Sequence, residues 1–357
     1  CEFAVDYFLS LAYDIDSFDY QKSARYRTEW TCSMLGNKYK DSLDDMFNSF
    51  YNLSFQRKPE CMGFGAQWTN DTHDREINAD TEFSFTNYGE AERRIAEYMR
   101  IGAMAERMMK ELPEQKRACF FENVYYQVKG CELMNRTILY AQRNRQYALQ
   151  NRAATDYWAK LSTQCYDSLQ TITNDYNTML GGKWNHAVTM EQQNSSAYYE
   201  RPELRTAKLN DGADMAVAVD GEDVPRGQSS YHLLPTFSRF VPAAHYIDVY
   251  NRGKKSFTWT AKVSAPWIKL SKANGTVNSE ERLFVAIDWN KVPKGDRVAG
   301  KIDFATAKGQ KDEVLVSVFN PAKPSIDEVH NQHVETNGVV VMNAADYQRK
   351  REAGDAK

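Results

Sequence analysis

A polar connector near the middle of the chain gathers the residue types best suited to chemistry. Gly181-Gly182-Lys183-Trp184-Asn185-His186 runs on to Tyr198-Tyr199-Glu200-Arg201-Pro202. Trp184 and the two tyrosines offer flat apolar faces with polar edges, which suit stacking on a sugar ring. Arg201 offers a planar fork of N–H donors that pairs with a carboxylate. With His186 beside them, these groups would bind an acidic sugar. The alternative is a packed connector whose aromatics fill a seam, and the residues alone leave both readings open.

Other chemistries lack their motifs. The sequence has no GxSxG nucleophile elbow, no Gly-rich phosphate loop, no HExxH and no EF-hand loop. Its six histidines, at 73, 186, 232, 245, 330 and 333, are scattered without ligand spacing, His330 and His333 forming only a weak pair. Six cysteines stand at 1, 32, 61, 119, 131 and 165 with no CxxC among them. Cys119, Cys131 and Cys165 fall on apolar helix faces and are expected as free thiols. Neither a metal nor a cofactor is therefore expected. Glycosidases need two carboxylates flanking the scissile bond. The 48 Asp and Glu residues single out no such pair, and the helical acids beside Lys and Arg are expected on a solvated surface.

Composition narrows the partners. A net charge of −3 over 357 residues, with a pI near 6.2, leaves no basic field for nucleic acid. Mean hydropathy is −0.67, and no apolar run approaches the ~18 residues that would cross a bilayer. The opening Cys1-Glu2-Phe3 begins in mid-pattern, as a fragment would, and names no compartment.

The elements that must position the connector differ on its two sides. Of ten prolines only Pro59 and Pro113 precede Gly181, whereas nine of twelve methionines do. The first half repeats apolar residues at three and four: Ile95, Met99, Gly102, Ala105, Met109 and Leu112, halted by Pro113. Phe120, Val124, Val128, Cys131, Met134 and Ile138 make the next stripe. Ala154, Trp158, Leu161, Cys165, Leu169, Ile172 and Tyr176 make another, closed by Gly181-Gly182. Shorter helices are expected at 2–13, 21–34 and 39–56, and a polar loop at 64–87. The second half alternates with period two at 215–219, 245–250, 257–263, 267–270, 283–287, 300–304 and 314–318. The fold class is thus α then β: an antiparallel helix bundle followed by an antiparallel β-sandwich. The expected domains are 1–182 (helical), 183–209 (connector), 210–322 (sandwich) and 323–357 (a linker and the first strand, 337–342, of a further unit).

Several motifs, in order, carry a family resemblance. Gly182-Lys183-Trp184-Asn185-His186 resembles glycoside hydrolase family 115, the xylan α-1,2-glucuronidases. So do Phe55-Gln56-Arg57-Lys58-Pro59-Glu60-Cys61-Met62-Gly63, Tyr246 through Gly253, Pro266 through Ser271, and Leu283 through Trp289. Glu2-Phe3 through Leu11-Ala12-Tyr13-Asp14 resembles the segment that follows the family's catalytic barrel. The resemblance implies a larger parent that removes (4-O-methyl)glucuronic acid from plant cell-wall glucuronoxylan or a related glucuronidated oligosaccharide. It also implies a homodimer and a periplasmic or extracellular bacterial location. Residues 1–14 would close the barrel region, and the catalytic acid would lie outside this sequence. Tyr198 or Tyr199 matches by position a family tyrosine that approaches the site, with Trp184, His186 and Arg201 at the substrate edge. One stretch departs: the family commonly reads Asp-Gln-Thr-His-Ile-Gly-Tyr after Trp-Asn-His, whereas Met190 through Tyr198 holds neither that His nor that Gly.

Two rival roles remain at this stage. One is a glycan-binding sandwich using Trp259, Trp267 or Trp289 as a platform, against which their places in strand patterns argue for the core. The other is an oligomerisation module built from the long helices.

Overall fold

The computed structural model describes residues 2–62, 80–189, 201–222, 232–329 and 332–342. Helices precede sheets, as the spacing predicts. Two compact units divide the chain: Cys1–Gln146 with Thr155–Thr206, and Tyr147–Ala154 with Ala207–Lys357.

The first unit contains α1 (Glu2–Tyr13), α2 (Tyr20–Leu35), α3 (Lys40–Gln56), α4 (Glu90–Glu111), α5 (Glu114–Phe120) and α7 (Thr155–Gly182), with most of α6 (Tyr126–Leu149). Local chemistry sets their ends. The Asp19 carboxylate accepts the Lys22 amide to open α2. Glu90 and Glu92 occupy the first turn of α4, where the helix dipole favours anions. Phe121–Tyr125, between α5 and α6, forms one turn of π-helix. Such a turn is invisible in a stripe that continues through it.

Burial follows the stripes with one local shift. On α4 Met99 is exposed while its neighbour Tyr98 is fully buried, together with Ile95, Ile101, Gly102, Ala105 and Met108. One cluster joins Leu43, Met46, Tyr98, Ile101, Phe120 and Val124. A second joins Leu133, Leu139, Tyr140, Cys165, Leu169 and Ile172. The expectation that helical acids lie on a solvated surface fails at Glu132, which is 1% exposed. Gly102 makes room for it: a Cβ there would overlap Glu132 Oε2. Arg94 is buried too. Its guanidinium donates to Asn135 Oδ1 (2.7 Å) and to the carbonyls of Leu53 (2.9 Å) and Arg57 (2.7 Å), capping α3 with a cation.

In the second unit one sheet orders β1 (Met215–Val219), β4 (His245–Asn251), β8 (Glu280–Ile287) and β6 (Ile268–Leu270). The other orders β2 (His232–Leu233), β10 (Lys311–Asn320), β9 (Gly295–Thr306), β5 (Phe257–Val263) and β7 (Asn274–Val277). β3 (Phe237–Ser238) also pairs with β10. The pairing is antiparallel except where β2 and β3 run parallel to β10, a departure from a purely antiparallel sandwich. Val217, Ile247, Val249, Leu283 and Val285 face Trp259, Ile302, Phe304, Val314, Val316 and Val318 in one core. Trp259 and Trp267 are 1% and 4% exposed, and Trp289 packs partly buried against the same core. Residues 337–342 do not form a ladder strand. Val339 makes a single bridge to Thr336, and the Asn337 side chain accepts from the Thr236 amide at 2.8 Å.

The outer face of the first sheet is charged yet closed. On β4 Ile247 and Val249 point inward, so Asp248 points out. Arg282 grips it with two bonds, Nε to Oδ1 at 2.7 Å and Nη2 to Oδ2 at 3.1 Å, and lies 3.6 Å from the centre of the Tyr246 ring. Arg152 donates to Asp248 Oδ2 (3.2 Å), Glu280 Oε2 (3.0 Å) and Gln150 Oε1 (2.5 Å), between the rings of Tyr147 and Tyr250. Burial pushes the Asp248 carboxyl up, but the two guanidinium groups outweigh it and hold it below the ordinary range. Tyr246 through Gly253, one of the resembling motifs, is therefore the strand and turn that grip residues 147–154. The Ala153 amide also bonds the Asn251 carbonyl at 2.8 Å.

Candidate functional site

The connector begins where α7 unwinds. Met179 leaves helical geometry, and Leu180, Gly181 and Gly182 follow with φ of 52°, 70° and 82°. Left-handed backbone in succession favours glycine, and two of the three residues are glycine. The turn is closed by Asn185 N to Gly182 O (3.0 Å) and Ala187 N to Trp184 O (2.9 Å). Asn177 Nδ2 reaches back to the Val188 carbonyl at 2.8 Å and ties the turn to the helix.

Within this turn Trp184 is half-buried. Its ring lies 4.5 Å from Lys183 Nζ, and its indole Nε1 is buried without a hydrogen-bond partner. His186 is exposed and sits at φ 63°, a left-handed conformation that costs a non-glycine residue roughly 1–2 kcal/mol. Backbone strain of this kind clusters at functional sites. Tyr198 and Tyr199 lie outside the described residues. Arg201 does not join Trp184 and His186. Its Nη2 pairs with Asp167 Oδ1 at 2.5 Å, and its guanidinium covers the Tyr166 ring at 4.7 Å. Asp167 lies twelve residues before Met179 on α7, roughly 18 Å along the axis.

Asp167 also lines a cavity of about 600 Å³ with Glu106, Lys129, Leu133, Arg136, Leu161, Gln164, Cys165 and Ser168. The buried Glu132 holds two of its lining cations. Lys129 Nζ bridges Glu106 Oε1 and Glu132 Oε2, each at 2.7 Å, and Arg136 Nη1 meets Glu132 Oε1 at 2.5 Å. Burial lowers the Lys129 ammonium, but its two carboxylate partners outweigh that and raise it above its usual value. Burial pushes the Cys165 thiol up, so it stays neutral at neutral pH and is no nucleophile. Glu106, Glu132 and Asp167 are each paired with a cation. The groups here present paired charges at the cavity wall.

Sequence reasoning missed this constellation. Its only local signal is a glutamate flanked at i−3 and i+4 by Lys129 and Arg136, which reads as an ordinary exposed helix face. Among the described residues the histidines gather no ligand set. His245 Nδ1 meets Asp220 at 2.6 Å and His232 Nδ1 meets Glu222 at 2.9 Å, while His73 and His330 lie outside the described residues. No group of three or more His, Cys, Asp or Glu side chains could hold a metal among the described residues. No helix among them is long and apolar enough to cross a membrane. Cys32, Cys61, Cys119, Cys131 and Cys165 form no disulfide.

No protein-family model matches the chain, and no curated protein matches it either. Among solved structures it is similar to a family GH115 4-O-methyl-α-glucuronidase with specificity for decorated arabinogalactans. The identity is 18% and the TM-score 0.47, over 80% of this chain and 42% of that one. The chain thus spans about two fifths of that enzyme's length. It is also similar to a Bacteroides ovatus GH5 xyloglucanase, at 12% identity and TM-score 0.22, over 32% of this chain and 21% of that one. The E. coli chaperone DraB matches at 10% identity and TM-score 0.24, over 35% of this chain and 64% of the chaperone.

Proposed function

We propose that this chain is the helical and sandwich portion of a glycoside hydrolase that releases (4-O-methyl)glucuronic acid α-1,2-linked to xylan or a related glucuronidated glycan. The observation that supports the reading is the 181–189 turn. The Gly182 through His186 motif lies there, ending a long helix in left-handed backbone, with a half-buried Trp184 and a strained, exposed His186. In this reading the catalytic acid belongs to the parent outside this sequence. The chain supports the catalytic part and lends Trp184, His186 and Tyr198 or Tyr199 to the substrate edge. Arg201, held by Asp167, either orients the connector or swings to a substrate carboxylate. The parent is a homodimer acting outside the cytoplasm of a bacterium.

The test is release of glucuronic acid from aldouronic oligosaccharides by the gene-length parent. The Tyr198→Phe/Tyr199→Phe double variant and Trp184→Ala are assayed beside it, with folding followed by circular dichroism. The reading expects an active parent and folded variants with turnover reduced at least tenfold. A parent that releases no uronic acid sinks the reading. An active parent indifferent to all three substitutions leaves the chain a scaffold and removes the connector from the site.

A further inference from the structure

An asparagine followed by glycine is open to attack by its own backbone, because no side chain shields the glycine nitrogen. The sequence holds two such steps, Asn274-Gly275 and Asn337-Gly338, and the fold treats them oppositely. The first lies in β7, where Asn274 pairs with Thr260 and Gly275 with Trp259 of β5. Its glycine is walled in: a Cβ there would overlap Glu281 Oε2 and Trp259 Nε1. The second lies outside the ladder strands, at φ 52° and 81°. Thr336 N to Val339 O (2.9 Å) and Val339 N to Thr336 O (3.0 Å) close a two-residue turn around it. Such a turn needs left-handed backbone at both central residues, which Asn-Gly supplies.

The groups of this turn converge on one reaction. The Gly338 amide donates its N–H to Glu335 Oε1. Asn337 Oδ1 accepts the Thr236 amide at 2.8 Å, and Asn337 Nδ2 donates to the Thr236 carbonyl at 3.4 Å. Glu335, Asn337 and Gly338 are all exposed, so water reaches them. The nucleophilic nitrogen thus has a base on its proton, and the electrophilic carbonyl has a donor on its oxygen.

We propose that Asn337 is a self-modification site, at which the side-chain amide is lost to give aspartate or isoaspartate. The Gly338 nitrogen bonds to Asn337 Cγ as its proton passes to Glu335, and the charge that develops on Oδ1 faces the Thr236 N–H. The Cγ–Nδ2 bond then breaks, and Nδ2 takes up that proton and leaves as ammonia. Water opens the five-membered imide, at Cγ to give aspartate or at the backbone carbonyl to give isoaspartate. One water enters, one ammonia leaves, and nothing is oxidised or reduced. The product sets a carboxylate two residues from Glu335 and removes the N–H given to Thr236, so residues 332–342 lose part of their hold on the chain before β3. This chemistry needs no part of the connector and stands whether or not the hydrolase reading does.

The experiment is incubation of the full chain at neutral pH. Deamidation at both steps is followed in one digest by mass spectrometry, and isoaspartate is scored by enzymatic methylation. In the folded chain Asn337 is expected to react at least tenfold faster than Asn274. In urea, where turn and ladder are both gone, the two rates are expected to converge to within about threefold. An Asn337 that stays intact, equal rates in the folded chain, or the same tenfold gap in urea would overturn the proposal, because the fold would not be choosing the site. Glu335→Gln keeps an acceptor for the Gly338 amide but is a far weaker base. It is expected to slow Asn337 at least threefold and to leave Asn274 unchanged. An Asn337 rate unchanged in Glu335→Gln overturns the assignment of Glu335. The comparison within the wild-type chain needs no variant, so it decides the site even if Glu335→Gln loosens the turn.

Discussion

In the sheets, Arg282 and Arg152 close on Asp248 beneath three tyrosine rings. In the helices, Arg136 and Lys129, which line a cavity, close on Glu132. Both clusters pair buried carboxylates with cations, yet the first spends the Nε of both arginines on its own side chains and the second leaves one unfilled. The difference separates a cluster that uses every arginine edge from one that leaves an edge idle. A filled and enclosed cluster fixes a segment, here residues 147–154. The helical cluster instead anchors Lys129 and Arg136 beside open volume and leaves one donor idle inside the packing. Charge and burial alone would have scored the two alike.

The comparison breaks most directly at Asp248. Replacing it with alanine leaves Arg282 without its carboxylate and the buried Arg152 with Glu280 alone, and should cost about 3–5 kcal/mol. Hydrogen exchange at β4 and β8 should rise accordingly while the helical unit keeps its protection. Unchanged exchange would mean that the network holds nothing. The same carboxylate sets an acid limit. Its folded pKa is depressed, so its contribution is fully present above about pH 4 and is lost as pH falls from there through the folded value. Wild-type unfolding should therefore steepen below about pH 4, and Asp248→Ala should lack that component.

Gly102→Ala tests the second cluster and should cost about 1–3 kcal/mol by forcing Glu132 off its seat, despite the better helix propensity of alanine. Adding Glu132→Ala to it should cost less than the two single losses summed, because both act on one contact. Additive losses in urea unfolding would show that Gly102 and Glu132 do not meet. The smallest effect belongs to the connector. His186→Gly should stabilise the helical unit by roughly 0.5–1 kcal/mol, since glycine tolerates the left-handed backbone. If the parent's turnover drops with that gain, the strain serves the site.

Much of this architecture is legible before any coordinates. Pro113 and Gly181-Gly182 mark where α4 and α7 end because each residue acts on its own backbone. The alternation in β4, β5 and β10 reports a half-buried face. β2 and β3 are not legible, because two-residue strands are defined by β10 and have no period of their own. Gly102 reads as one more small residue in a stripe, since the side chain it admits comes from another helix. Arg152 and Asp248 stand 96 residues apart and share no local pattern. Of the connector, Trp184 and His186 fall in one turn as their spacing suggests. Arg201 is drawn instead to Asp167, a choice made by a helix face that the linear sequence does not display.

The path of the chain also bears on inheritance. Residues 147–154 belong with the sheets although the residues on both sides belong with the helices. The backbone therefore passes from one unit to the other three times rather than once. A gene fusion, a natural recombination or a protease cutting near 206 would hand on the sandwich without Arg152, and so with Asp248 missing one of its two guanidinium partners. The two units can consequently be shuffled only together. Any protein that carries this sandwich should carry the helical pair that delivers its eight-residue graft, or else have refilled that outer face with something apolar.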